Sequence, residues 1–126
     1  MKPALNKESI INAKDIKIIS VDVPEWNGSV CLKVMSGKSR DNWESYVISK
    51  KDKDGKIDVK GMRAKLLICC LCDENGNELF NDSEIELLEK KNADVLQRLF
   101  DEAARLNGLN TASVEEIKSD FTKGQN

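Results

Sequence analysis

Three cysteines stand almost side by side in this chain, Cys69, Cys70 and Cys72, with a fourth at Cys31. Thiolates ligate soft metals and attack electrophiles, so the cluster raises two chemistries, a zinc site and a nucleophilic thiol. Both are short of parts. The chain has no histidine, so no imidazole is present to lower a thiol pKa. A tetrahedral zinc site would have only Cys31 and carboxylates to complete it. In an extended strand Cys70 and Cys72 share one face and Cys69 points to the other. Small thiols inside Leu-Leu-Ile-Cys-Cys-Leu-Cys read as core residues. A metal-responsive or redox regulator is the functional alternative they leave open.

The second candidate is Asp52-Lys53-Asp54-Gly55-Lys56-Ile57-Asp58, which resembles the middle of an EF-hand loop. Placing Gly55 at the sixth loop position puts Ile57 correctly at the eighth. The same alignment puts Lys50 in the first ligand position and Gly61 where the bidentate carboxylate belongs. A cation in one and no side chain in the other defeat calcium binding, so the segment reads as a charged loop turning on glycine. Aligning Gly76 in the same way puts Leu71 in the first position, and Asn75-Gly76 reads as a hairpin turn. Other carboxylates are plentiful, but none sits in an apolar context that would raise its pKa for acid catalysis. Without histidine, Ser-His-Asp and Cys-His pairs are excluded as well. The sequence points to a non-enzymatic protein with no cofactor and no metal.

Two residues are candidates for binding a partner. Trp26 lies beside the turn Trp26-Asn27-Gly28, where a large ring is either a lid on the core or an exposed anchor for a partner. Arg40 stands in a helix start and either pairs with a carboxylate on the sheet or helix below, or offers its guanidinium to a partner. The lysines of residues 50–60 are interleaved with aspartates and lack aromatics, so they do not form a single-strand nucleic-acid platform.

These residues need elements to hold them. Asn6 caps a short N-terminal helix over residues 7–14. Residues 16–23 alternate Ile19, Val21 and Val23, turn at Asn27-Gly28, and return over residues 29–35, a β-hairpin. Ser36 opens a second helix with the stripe Trp43, Tyr46 and Val47. Residues 49–61 are a charged loop. Residues 62–72 read as a buried strand that turns at residues 73–77 into a short partner strand over residues 78–80, a second hairpin. Ser83-x-x-Glu86 is a capping box opening a short helix through Leu88. Asn92 caps the clearest helix, with Val95, Leu96, Leu99, Phe100, Ala103 and Leu106 on one face and Gly108 closing it. Ser113-x-x-Glu116 is a further capping box, and residues 122–126 are a frayed tail. The expected fold class is α+β: a small antiparallel β-sheet from two hairpins, packed by several helices, with the C-terminal half helical.

Length and composition agree with one domain over residues 1–126. The 126 residues carry 20 Lys+Arg against 22 Asp+Glu, a net charge of −2, with 40% hydrophobic and 33% charged residues. That balance gives no bulk attraction to phosphate backbones or anionic lipid. No signal-peptide core and no membrane-length apolar run is present. Free thiols fit a reducing cytoplasm.

Several blocks in this order resemble the tail assembly chaperones of long-tailed bacteriophages and prophages. They are Val21-x-Val23-Pro24-Glu25-Trp26, Met35-Ser36-Gly37-Lys38-Ser39-Arg40-Asp41, and Leu71-Cys72-Asp73-Glu74-Asn75-Gly76-x-x-Leu79-Phe80. They continue with Arg98-Leu99-Phe100-Asp101-x-Ala103-x-x-Leu106-Asn107-Gly108-Leu109 and Val114-Glu115-x-Ile117-Lys118. The loop 49–61 and the triple cysteine depart from that pattern. The resemblance implies a chaperone in the host cytoplasm, absent from the mature virion, with no catalytic residue. Its implied partners are the tape-measure protein, which it keeps soluble, and the major tail protein, with self-association possible. The alternative is a structural tail completion or minor tail protein of the virion.

Overall fold

In a computed structural model describing residues 2–109, the hairpin forms where β-branched residues flank the Asn-Gly turn. Strand β1 (Ile18–Val23) pairs antiparallel with β2 (Gly28–Lys33), from Ile18 opposite Lys33 to Val23 opposite Gly28. Between them, Pro24–Trp26 makes one turn of 3-10 helix, and Asn27 takes the left-handed conformation at φ 55°. Proline's fixed φ suits the start of that turn, and asparagine tolerates the positive φ that reverses the chain.

Helix α1 (Lys7–Asn12) precedes the hairpin, capped by the Asn6 side chain on the Ser9 amide, and ends short of the expected residue 14. Helix α2 (Gly37–Ser49) follows, capped by Ser36 as expected. Its Trp43 is buried and meets Phe100 edge-to-face, with ring centroids 6.5 Å apart.

The expected strand over residues 62–72 is the main correction. Residues Met62–Cys70 form helix α3, and only Leu71–Cys72 is strand, here β3. Leu, Met, Ala, Arg and Lys all favour helix, and eight of the nine α3 residues are buried. A helix covered on every side shows no amphipathic period, so its apolar run mimics a buried strand. Its one buried cation, Lys65, reaches out along its stem to Asp82 at 2.7 Å.

β3 pairs antiparallel with β2, Cys31 opposite Cys72 and Leu32 opposite Leu71, which gives sheet order β1-β2-β3. The expected partner strand over 78–80 is reduced to one bridge, Cys72 with Glu78. The second hairpin is therefore only a turn on a two-residue stub, and the α+β class stands. Asp73 builds that turn, its Oδ1 accepting from the amides of Asn75 and Asn77 at 2.8 and 2.9 Å. Asp52 does the same in the charged loop, accepting from Asp54 and Lys56, both at 2.9 Å. The calcium-like aspartate thus holds its own backbone.

Next come a 3-10 turn, Asp82–Glu84, and helix α4 (Ile85–Glu89). The capping box here is Asn81 with Glu84, not the expected Ser83 with Glu86. Asn81 sits two residues earlier and is as good a cap as serine, so the helical turn begins sooner. Helix α5 (Ala93–Leu106) matches expectation, from the Asn92 cap to Gly108 at φ 58°. The expected capping box at Ser113 and the tail 122–126 lie outside the described residues.

Helix α3 is the centre of the packing, touching α2, α4, α5 and β2. Asn107, just past α5, joins that helix to the sheet. Its Oδ1 accepts from the Met35 amide at 2.7 Å, and its Nδ2 donates to the Ala103 carbonyl at 2.9 Å and, more weakly, to the Lys33 carbonyl at 3.4 Å.

Candidate functional site

The corner Pro24–Trp26 is fixed from outside. Arg98 on α5 donates to both carboxylate oxygens of Glu25, Nη1 to Oε2 and Nη2 to Oε1, each at 2.9 Å. A two-pronged guanidinium–carboxylate pair sets orientation as well as distance. The Arg98 hydrogen bond, helped by the residue's own amide, holds the Glu25 carboxyl down to about 2.

This tie presents Trp26 over an apolar groove of about 300 Å³. Val30 of β2, Leu71 of β3, Leu79, Phe80, Leu88 and Lys91 line it with Trp26. Leu71 and Leu88 are buried, Trp26, Val30 and Phe80 are half-buried, and Leu79 is 51% exposed. Trp26 also packs on the core cluster, so it is a lid on one side and a groove wall on the other. Pockets of this size lined by aliphatic and aromatic side chains suit apolar side chains of a partner.

Arg40, the other sequence candidate, lies apart from the groove. Its Nε donates to Glu44 one turn along α2 at 3.0 Å, and its Nη1 donates to the Asn107 carbonyl at 3.2 Å. The carboxylate it meets is on its own helix, and the group below it is a main-chain oxygen at the end of α5, where a cation is favoured. Arg40 and Trp26 are not brought together. Leu79, Phe80 and Leu88 were not singled out by the sequence; the apolar pair Leu79-Phe80 directly after a turn was the available signal.

The thiols are placed for packing. Burial pushes Cys70 up to about 12 and raises Cys69 and Cys72 as well. Cys69 and Cys70 sit on α3, not on opposite faces of a strand as expected, while Cys72 faces Cys31 across the sheet. Among the described residues, no three cysteine or carboxylate side chains gather in a way that could hold a metal ion.

A second concavity, lined by residues that include Tyr46, Gly61, Ile85 and Glu89, is mixed in character. There Lys50 and Lys65 lie 5.2 and 5.5 Å from the centre of the Tyr46 ring, and Lys65 is paired with Asp82. One of its three lysines is thus already paired. Among the described residues no helix is long and apolar enough to cross a membrane.

A model of a family described as phage tail assembly chaperone matches residues 6–120. No curated protein matches the chain. Among solved structures, one described as the bacteriophage HK97 tail assembly chaperone aligns at 26% identity and a TM-score of 0.55. That alignment covers 79% of this chain and 90% of the HK97 chain. With a family match spanning nearly its whole length, this chain belongs to the phage tail assembly chaperones.

Proposed function

We propose that the protein is a non-enzymatic chaperone that binds the tape-measure protein, keeps it soluble, and helps bring major tail protein to it. The observation that carries the reading is the apolar groove lined by Trp26. A long helical client exposes apolar stripes, and a groove with a half-buried aromatic wall receives side chains spaced along one helix face. Trp26 is the proposed anchor, since tryptophan contributes heavily at desolvated interface centres. The bidentate tie from Arg98 holds the corner ready, so little ordering is needed on binding. The proposed place of action is the host cytoplasm, with no copy retained in the finished particle.

Co-expression with the tape-measure protein tests this. The expected result is a larger soluble fraction of the client and a complex that survives purification, together with absence of this chain from purified virions by mass spectrometry. An insoluble client and no complex would sink the proposal. Stoichiometric presence in virions would replace it with a structural tail role.

A further inference from the structure

Cys31 and Cys72 are direct cross-strand partners in the antiparallel pairing of β2 with β3. Directly opposite residues of such a pair point to the same face, with Cα atoms about 4.5–5.5 Å apart. A disulfide needs Cα atoms within roughly 4.4–6.8 Å and side chains that converge. The main chain therefore meets both demands without moving, and both thiols are free. Strand alternation puts Leu32 and its partner Leu71 on one face of the sheet and Cys31 and Cys72 on the other.

The remaining two cysteines lack this geometry. Cys69 and Cys70 are consecutive in α3, where neighbouring side chains diverge by about 100° around the axis. Cys70 instead receives the Asn107 Nδ2 hydrogen, at 3.5 Å. Cys31 and Cys72 also differ from each other in the way a stepwise reaction requires. Cys31 is partly exposed, whereas Cys72 is 2% exposed. An oxidant arriving from solvent meets Cys31, and Cys72 stands opposite to displace it. Burial raises the Cys72 pKa, and the Cys31 thiol adds to that; the positive charge of Lys33, anchored on the Gly76 carbonyl at 3.0 Å, works against both.

We propose that Cys31 and Cys72 are a site of reversible oxidative cross-linking, closed by a low-molecular-weight disulfide of the glutathione type. The Cys31 thiolate attacks one sulfur of that disulfide, forming a mixed disulfide and expelling one small thiolate. The Cys72 thiolate then attacks the Cys31 sulfur, forming the Cys31–Cys72 bond and expelling the second. Two protein thiols are oxidised, one small disulfide is reduced to two thiols, and the cysteine protons end on those thiols. Strand β3 pairs with β2 at only two positions, and the bond ties them covalently. Leu71, next to Cys72, is thereby fixed in the lining of the groove.

Full-length protein, fully reduced and then incubated with excess glutathione disulfide, tests this by intact mass and by fragmentation of non-reduced peptides. The wild type is expected to lose two hydrogen atoms as a monomer, to link Cys31 to Cys72, and to revert with dithiothreitol. Cys72→Ala should stop at a mixed disulfide of Cys31 with glutathione, Cys31→Ser should form no internal bond, and Cys69→Ala should cross-link as the wild type does. The oxidised protein should melt on the order of 5 °C above the reduced one, because the bond closes a long loop in the unfolded chain. A wild type without an internal bond, a bond from Cys72 to Cys69 or Cys70, cross-linking that survives Cys31→Ser, or an oxidised form no more stable than the reduced would each overturn the proposal. No tail protein is present, so the outcome is separable from that of the co-expression experiment.

Discussion

Helices α3 and α5 pack against each other at the heart of the molecule, yet they are built in opposite ways. α5 buries Val95, Leu96, Leu99, Phe100, Ala103 and Ala104 along one side and leaves Arg98 and Arg105 in water. α3 is buried from Met62 to Cys70 with only Arg63 partly open. α5 is entered through a side-chain cap, with Asn92 Oδ1 accepting from the amides of Asp94 and Val95. α3 is entered through Gly61 at φ +77°, and no side chain among the described residues caps it. The difference separates two jobs: α5 turns one face to the core and the other to the hairpin corner, whereas α3 is the filler between elements.

That contrast sets the largest expected effect. Leu66→Ala, Leu67→Ala and Ile68→Ala occupy three consecutive positions that point in different directions around α3, and all are buried. Each should cost about 2–5 kcal/mol in urea denaturation, through lost burial and a residual cavity. In α5, Leu99→Ala should cost as much, while Arg105→Ala on the exposed side should stay within about 0.5 kcal/mol. A tolerant position among the three in α3 would break the comparison.

The helix entrances give the next effect. A Cβ at Gly61 would stand 2.7 Å from Tyr46 Oη and 3.0 Å from Glu89 Oε1. Gly61→Ala should therefore cost about 1–2 kcal/mol for the left-handed backbone, plus the shift of those side chains. Asn92→Ala should cost about 1 kcal/mol, since it removes a cap and leaves the helix otherwise intact. Thermal unfolding of the two variants side by side measures the difference, and equal losses would show that the two entrances are not distinct.

The smallest effect concerns the exposed side of α5. Glu25 is held down to about 2 from an ordinary 4.5 by Arg98. Its folded pKa is depressed, so the tie is fully present above about 4.5 and is lost as pH falls through about 2. Carboxyl titration by NMR should show that low midpoint, and Arg98→Ala should return it toward 4.5. An unmoved midpoint would assign the shift to the backbone of the corner instead.

The same contrast explains what the sequence made legible. α5 could be read end to end because a polar face marks its period, Asn92 its start and Gly108 its stop. α3 could not, because burial on all sides erased the period and left a seven-residue apolar run, Leu66 to Cys72, that resembles a strand. The expected strand over residues 62–72 takes in the helix's start, Met62-Arg63-Ala64-Lys65, because its two cations mark no polar face. The second hairpin was legible as a turn, since Asp73 and Gly76 dictate it, but the length of its arms depends on pairing with β2. At the site, Trp26 was visible from its place beside a turn. Leu71 and Leu88 were not, because the groove exists only once α3 delivers β3 beside β2 and α4 folds over them. Arg40 was read toward a carboxylate below it, and the group there is the Asn107 carbonyl, which no side-chain pattern reveals.

The central claim is that the groove beneath Trp26 is what holds a client. Co-expression of the tape-measure protein with Leu79→Asp, beside Ile48→Asp as a control, tests it most directly, because both side chains are largely exposed and only Leu79 lines the groove. The soluble fraction of tape-measure protein should fall to the level without chaperone for Leu79→Asp and match wild type for Ile48→Asp. Full solubilisation by Leu79→Asp would contradict the claim.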